Sequence, residues 1–213
     1  MKLFGYWRSS ATYRVRIALQ LKGLDCDYEP VNLLNGDQNK AEHLARNPQG
    51  LVPALMTDDG DLITQSLAIM EYLDDAFPSH PILPRNIAAR AHARAIAATI
   101  ACEAQPFMNL RIQNYLKNEG SFDKDTMSAW LNTWPGGAMA AAEKMVTQYG
   151  GKFCVSDEPS IADCCLIPQW FAASRFNIDL SNFPHLAAIN ERCLAMPAFE
   201  KAHPLKQSDA VTS

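Results

Sequence analysis

Three prolines, Pro78, Pro81 and Pro84, fall within seven residues and separate two stretches of chain with different periodicities. Before them, strand and helix signals alternate. After Asn86 the strand signals vanish. Proline fixes φ and removes a backbone donor, so neither a helix nor a sheet runs easily through such a cluster. A chain divided in this way is restricted to an α/β part followed by an all-helical part. The boundaries expected are residues 1–80 for the first domain and 87–213 for the second.

In the first part, Lys2 to Trp7 is a short apolar and aromatic run that reads as a strand. A helix follows, opened by Ser9 or Ser10, with Val15, Ala18 and Leu19 at helical spacing and Ile17 and Leu21 widening the apolar face. Lys22-Gly23 supplies a cation and then a glycine, a common helix ending. Asp27 to Val31 alternates as a second strand, and Gln38 to Arg46 reads as a weak helix. Leu51–Thr57 and Leu62–Thr64 flank Asp58-Asp59-Gly60-Asp61, a hairpin signal. Ser66 is expected to cap a helix whose core side is Leu67, Ile69, Met70 and Leu73. The order βαβ, α, ββα predicts a mixed four-stranded sheet with a parallel first pair.

In the second part, Ile87 to Lys117 carries helix formers almost throughout, interrupted or kinked at Pro106. Asp125 to Tyr149 is a helical stretch expected to break or bend at Pro135-Gly136-Gly137. Ser160-Ile161-Ala162-Asp163 reads as a capping box before Cys164 to Phe171, which makes Asp163 a structural acid. Phe183 to Leu194 is a further helix, and the last ten or so polar residues are expected to fray. The alanine-rich stretch from Ala88 to Ala101 suits close helix packing, within the chain or in a dimer. Trp130, Trp134 and Trp170 read as core or interface residues.

Composition bears mainly on exclusion. Of the 213 residues, 48% are hydrophobic and 20% charged, which suits a packed core, and a net charge of -4 argues against a nucleic-acid surface. No leader-like segment opens the chain, and no apolar run approaches the roughly 20 residues that span a bilayer, so a cytosolic protein is expected. The six cysteines form no C-x-x-C pair and read as buried small hydrophobes. The histidines lack ligand spacing, so no metal site is expected.

The stretch with most chemical content is Arg8-Ser9-Ser10-Ala11-Thr12 at the strand-to-helix corner. Free N–H groups at a helix start favour an anion, and a nearby hydroxyl adds a donor, so the corner suits a thiolate. With the run Tyr13-Arg14-Val15-Arg16-Ile17-Ala18-Leu19 that follows, it resembles the opening of the zeta class of glutathione transferases. Further matches are Asn47-Pro48-Gln49-Gly50-Leu51-Val52-Pro53-Ala54-Leu55, Gln65-Ser66-Leu67-Ala68-Ile69, Ile161-Ala162-Asp163, Pro168-Gln169 and Arg175-Phe176. The resemblance runs from Lys2 to about Ala202. Ala11 departs from the family's usual cysteine, and Gln105 stands where several bacterial relatives carry histidine.

The resemblance implies a thioredoxin-like N-terminal domain, a C-terminal helical bundle, and glutathione as cofactor. It assigns Gln49, Val52, Pro53, Gln65 and Ser66 to glutathione, with Val52-Pro53 as the family's cis bond, and Ser9 or Ser10 to its sulfur. It assigns Arg8, Gln105, Asn109, Arg111 and Arg175 to a dicarboxylate substrate, because guanidinium groups hold carboxylates bidentately. The implied activity is cis–trans isomerisation by reversible thiolate addition, with Ser9, Ser10, Arg8 and Arg175 as the catalytic set. The substrate would be maleylacetoacetate, from tyrosine and phenylalanine breakdown, in a homodimeric enzyme. Alternatives are maleylpyruvate, from gentisate breakdown, a general transferase with a broad apolar pocket, and a non-catalytic glutathione-binding module.

Overall fold

The computed structural model describes residues 1–211. They divide into two compact units: Met1–Ile82 together with the chain from Leu194 onward, and Leu83–Cys193. The division falls inside the proline link.

In the first unit the elements are β1 (Lys2–Gly5), α1 (Ser10–Lys22), β2 (Asp27–Pro30), α2 (Ala41–Arg46), β3 (Ala54–Met56), β4 (Leu62–Thr64) and α3 (Ser66–Ala76). The sheet order is β2-β1-β3-β4, with β1 and β2 parallel and the other pairs antiparallel. Leu3 sits opposite Tyr28 on one side and Leu55 on the other. This is the expected mixed sheet. α1 ends at Gly23, whose φ of 66° is left-handed and whose N–H bonds back to the carbonyls of Leu19 and Gln20. Lys22 does more than flank that end. It is buried and donates to Asp74 and to the carbonyls of Ser79 and His80, tying α1 to the start of the link.

Every residue of α1 from Thr12 to Leu19 is buried, which the modest amphipathicity of the sequence does not announce. The reason lies at the far end of the chain. A helix α9 (Pro197–Ala202) packs on α1 from one side while α3 packs on another. The segment from Leu194 was expected to belong with the helical domain, but it folds with the first unit. Nor does the polar end fray within the described residues. A 3-10 turn (Pro204–Lys206) follows α9, Asp209 accepts hydrogen bonds from Trp7 N and Tyr28 Oη, and Ala210 packs on the cluster of Phe4, Tyr6, Trp7, Val31, Val52 and Ala54. Polarity alone suggested disorder; specific buried partners override it.

The second unit holds α4 (Ile87–Glu103), a 3-10 turn (Gln105–Met108), α5 (Leu110–Asn118), α6 (Lys124–Tyr149), α7 (Ile161–Arg175) and α8 (Pro184–Leu194). Pro106 interrupts the first helical stretch, as expected. Pro135 does not break α6, which runs through it for 26 residues, and α7 runs through Pro168. Buried packing on both prolines holds these helices together where local preference disfavours them. Ala93, Ala97 and Ala101 are buried with Ile96 and Ile100 where α4 meets α6 and α7, so the alanine stripe packs within the chain. Trp134 is 50% exposed and is no core residue, while Trp130 and Trp170 are half-buried. Four cysteines are buried as expected; Cys26 is half-buried and Cys102 exposed. Among the described residues no helix is long and apolar enough to cross a membrane, and no cluster has the make-up of a metal site.

Candidate functional site

In the first unit, two corners carry the residues singled out from sequence. The first follows β1. Its tightness depends on Gly5, where an added Cβ would come within 2.3 Å of Thr12 Cγ2. Thr12 lies in the first turn of α1, so glycine is what lets strand and helix approach so closely. Tyr6 to Ser9 makes a turn, with Ser9 N–H donating to the Tyr6 carbonyl at 3.0 Å. Ser9 is the N-cap of α1, and its Oγ accepts from Thr12 N at 3.3 Å. The hydroxyl proton of Ser9 is not consumed by that bond. Ser10 is the first helical residue, half-buried, and its hydroxyl has no hydrogen-bond partner among the described residues. The first turn of α1 contains no acid. The Arg8 guanidinium lies over the Trp7 ring, 5.4 Å from its centroid, and pairs with no carboxylate among the described residues.

The second corner joins the Leu51–Pro53 stretch to the start of α3. The Val52–Pro53 bond is cis, as the resemblance implies. Just before it, Asn47 Nδ2 and His43 Nε2 both donate to the Leu51 carbonyl, at 2.9 and 2.8 Å. The Val52 side chain is buried beside Trp7, while its main chain makes no hydrogen bond among the described residues. Gln65 has a left-handed φ of 69°, and its Nε2 donates to Gln49 Oε1 at 2.6 Å. Ser66 is not the cap that the sequence suggested. Gln65 occupies that position, no side chain caps the helix, and its first turn contains no acid. Ser66 is buried, and its Oγ accepts from Arg14 Nη1 at 3.1 Å. That bond spends a lone pair and leaves the hydroxyl proton to be donated elsewhere.

The first corner holds no thiol: Ala11 follows the two serines, and no cysteine lies between Gly5 and Arg16. Burial pushes the Cys26 thiol up to about 11 and raises those of Cys154 and Cys164 as well.

The second unit carries the remaining candidates. Gln105 and Asn109 do not share a continuous α-helix. Pro106 instead places Gln105 in the 3-10 turn and makes Asn109 the cap of α5, its Oδ1 accepting from Arg111 N at 3.2 Å. Arg111 is exposed on α5. Arg175 is exposed at the end of α7, its guanidinium over the rings of Phe171 and Phe176 at 5.8 and 5.6 Å. Asp163 is structural, as expected: fully buried, it accepts from Cys154 N, Ser160 N and Ser160 Oγ. Burial raises its pKa while these donors pull it down.

Three residues of the first unit escaped the sequence reading. Arg14 was noted only as part of a run, and Asn47 and His43 not as a pair gripping Leu51. For Arg14 a signal existed: a cation flanked by Tyr13, Val15 and Ile17 on a helix with little polar face. The other two become visible only when the loop is folded.

The glutathione S-transferase N-terminal domain model matches residues 3–81. A maleylacetoacetate isomerase from Pseudomonas aeruginosa is 41% identical over 211 residues, covering 98% of this chain and 98% of its own length. A holo structure of a maleyl pyruvate isomerase, described as a bacterial glutathione S-transferase in the zeta class, superposes with a TM-score of 0.94 at 37% identity, covering 99% of this chain and all of its own. A maleylacetoacetate isomerase from Methylobacterium extorquens AM1, solved with bound malonate and GSH, gives 0.94 at 39% identity with full coverage of both chains. The chain belongs to the zeta class of the glutathione S-transferase family.

Proposed function

We propose that this protein is a glutathione-dependent cis–trans isomerase that converts maleylacetoacetate to fumarylacetoacetate in tyrosine and phenylalanine breakdown. The observation that carries the reading is the first corner: an arginine that pairs with no carboxylate among the described residues, and two serine hydroxyls at a helix start with no acid in its first turn. Such a corner attracts an anion and can donate to it.

The residues of the first unit fit glutathione. A tripeptide brings a free main chain, a carboxylate and a thiol. The unengaged Val52 main chain suits pairing with a peptide, as an added strand would. The uncapped start of α3, with Gln65 and Ser66, suits the γ-glutamyl end, and Gln49 steadies Gln65. Ser9 or Ser10 would donate a hydrogen bond to the sulfur and so favour its thiolate form. When bound, glutathione supplies a thiolate whose reversible addition to the cis double bond allows rotation about it. Arg8 and the N–H groups opening α1 offset negative charge that develops on the substrate's carbonyl oxygen. On the family resemblance, Arg175 and Arg111 of the second unit are assigned to substrate carboxylates, with Gln105 and Asn109 as polar lining.

A second reading, maleylpyruvate as substrate, is favoured by the similarity to the maleyl pyruvate isomerase. Dimerisation and a cytoplasmic location are part of the proposal, as family properties.

The test measures isomerisation of both maleyl substrates with and without glutathione. Turnover is expected only with glutathione, and faster on maleylacetoacetate. Equal rates without it would sink the proposal, and a faster rate on maleylpyruvate would move it to the second reading. Retention on immobilised glutathione without turnover of either would mark a binding module. Ser9→Ala removes both a cap and a donor, whereas Ser10→Ala removes only a donor; comparing turnover with melting temperature assigns the sulfur contact.

A further inference from the structure

The turn that carries Arg8 and Ser9 is held from behind by the C-terminal segment. Trp7 is its second residue, and both main-chain polar groups of Trp7 are engaged by side chains. Its N–H donates to Asp209 Oδ2 at 2.9 Å, and its carbonyl accepts from Arg16 Nη2 at 2.9 Å. Arg16 Nε also donates to the Ala202 carbonyl at 3.0 Å. Arg16 therefore links the turn to the end of α9. Asp209 Oδ2 accepts a second bond, from Tyr28 Oη at 3.1 Å. Burial raises the Tyr28 pKa, so the phenol stays protonated and is a donor. Ala210, the next residue, packs on the cluster that includes Trp7 and Val52.

We propose that Asp209 is a positioning residue for the anion corner, fixing Trp7 and through it Arg8 and Ser9. Three links make the route. Asp209 holds the Trp7 amide, the Trp7 indole is the platform on which the Arg8 guanidinium lies, and Ser9 closes the turn back onto Tyr6. None of these contacts reaches the ligand from Asp209 itself. Its effect is one of geometry: an arginine and a hydroxyl stabilise a thiolate only while they stay within reach and aligned. A half-buried carboxylate that accepts from two donors is held in place, and loss of it leaves the Trp7 N–H and the Tyr28 hydroxyl without their acceptor.

This assignment rests on the glutathione reading above, and the experiment separates the two. Hydrogen–deuterium exchange of the Trp7 amide in the ligand-free protein reports the hold directly. The ultraviolet thiolate band of bound glutathione, titrated with pH, reports the corner. In Asp209→Ala the Trp7 amide is expected to exchange at least about tenfold faster, and the midpoint of the thiolate band to rise by about one pH unit, a tenfold loss of thiolate preference. Asp209→Asn keeps one acceptor oxygen and should recover much of both effects. Tyr28→Phe leaves the Trp7 bond in place and should show a smaller change in each, which keeps the test decisive if Asp209→Ala folds poorly. A wild-type thiolate band that none of the variants moves overturns the assignment alone. Absence of any band with wild-type protein and glutathione overturns the functional reading and this assignment with it.

Discussion

The two units bury charges of opposite sign. In the first, the buried charged side chains are Arg14, Arg16 and Lys22; in the second they are Glu143 and Asp163. The difference follows from what each charge satisfies. A cation can only donate, so the buried bases of the first unit bind carbonyls and oxygens: Arg16 those of Trp7 and Ala202, Lys22 those of Asp74, Ser79 and His80, and Arg14 the Ser66 hydroxyl. A carboxylate can only accept, so the buried acids of the second unit close helix starts. Asp163 completes the cap of α7, and Glu143 reaches from α6 to accept from the N–H groups of His185 and Leu186 at the start of α8. Asn86, Asn109 and Asp123 cap α4, α5 and α6. In the first unit α1 and α3 open without an acid, and α3 without any side-chain cap. The lesson is that the helical unit closes its helix starts with its own side chains, whereas in the α/β unit α1 has only the Ser9 hydroxyl and α3 has neither a side-chain cap nor an acid in its first turn, an opening that suits an anion.

The largest expected effect comes from reopening a closed start. Asp163→Ala strands two buried N–H groups and a hydroxyl, and should lower stability by about 3 kcal/mol in denaturant unfolding. A loss below the cost of a surface substitution would show that this burial is dispensable.

Next is removal of a buried base under an open start. Arg14→Met takes away the donor that orients Ser66, and should weaken glutathione binding by about 2 kcal/mol in calorimetry. Arg14→Lys should recover only part, because an ammonium lacks the guanidinium fork. An unchanged affinity for a folded Arg14→Met would detach Arg14 from the site.

A smaller effect is expected from closing α3 artificially. Ala68 is exposed in its first turn. Ala68→Glu should stabilise the helix by about 0.5 kcal/mol and weaken glutathione binding by about 1 kcal/mol, since the new acid competes with the ligand carboxylate. Tighter binding would contradict the role given to that helix start.

The smallest concerns an exposed cap of the second unit. Hydrogen bonds from Thr126 hold the Asp123 carboxyl below its usual range. A depressed folded pKa adds stability above the unfolded value of about 3.9 and loses it as pH falls below that. The melting temperature of the wild type should therefore fall slightly more between pH 5 and pH 3, about one pH unit to either side of that value, than that of Asp123→Asn.

Much of this was legible in the chain itself. The change of periodicity at Pro78–Pro84, the hairpin around Asp58-Asp59-Gly60-Asp61, the helix stop at Lys22-Gly23 and the capping box at Ser160–Asp163 are local codes. Each is written in neighbouring residues, so each can be read without a fold. The motif at Arg8–Leu19 indicated the family for the same reason.

Contacts between distant residues were decided only by tertiary structure. Nothing near Arg14 in sequence shows that it meets Ser66, and nothing in the polar end shows that Asp209 meets Trp7, 202 positions away. Ser66 fell one place inside its helix because the left-handed Gln65 took the cap position, and α6 survived Pro135 because packing outweighed local preference. A backbone's local choices depend on side chains a few residues away, whereas a buried charge is viable only where the whole fold supplies its partner.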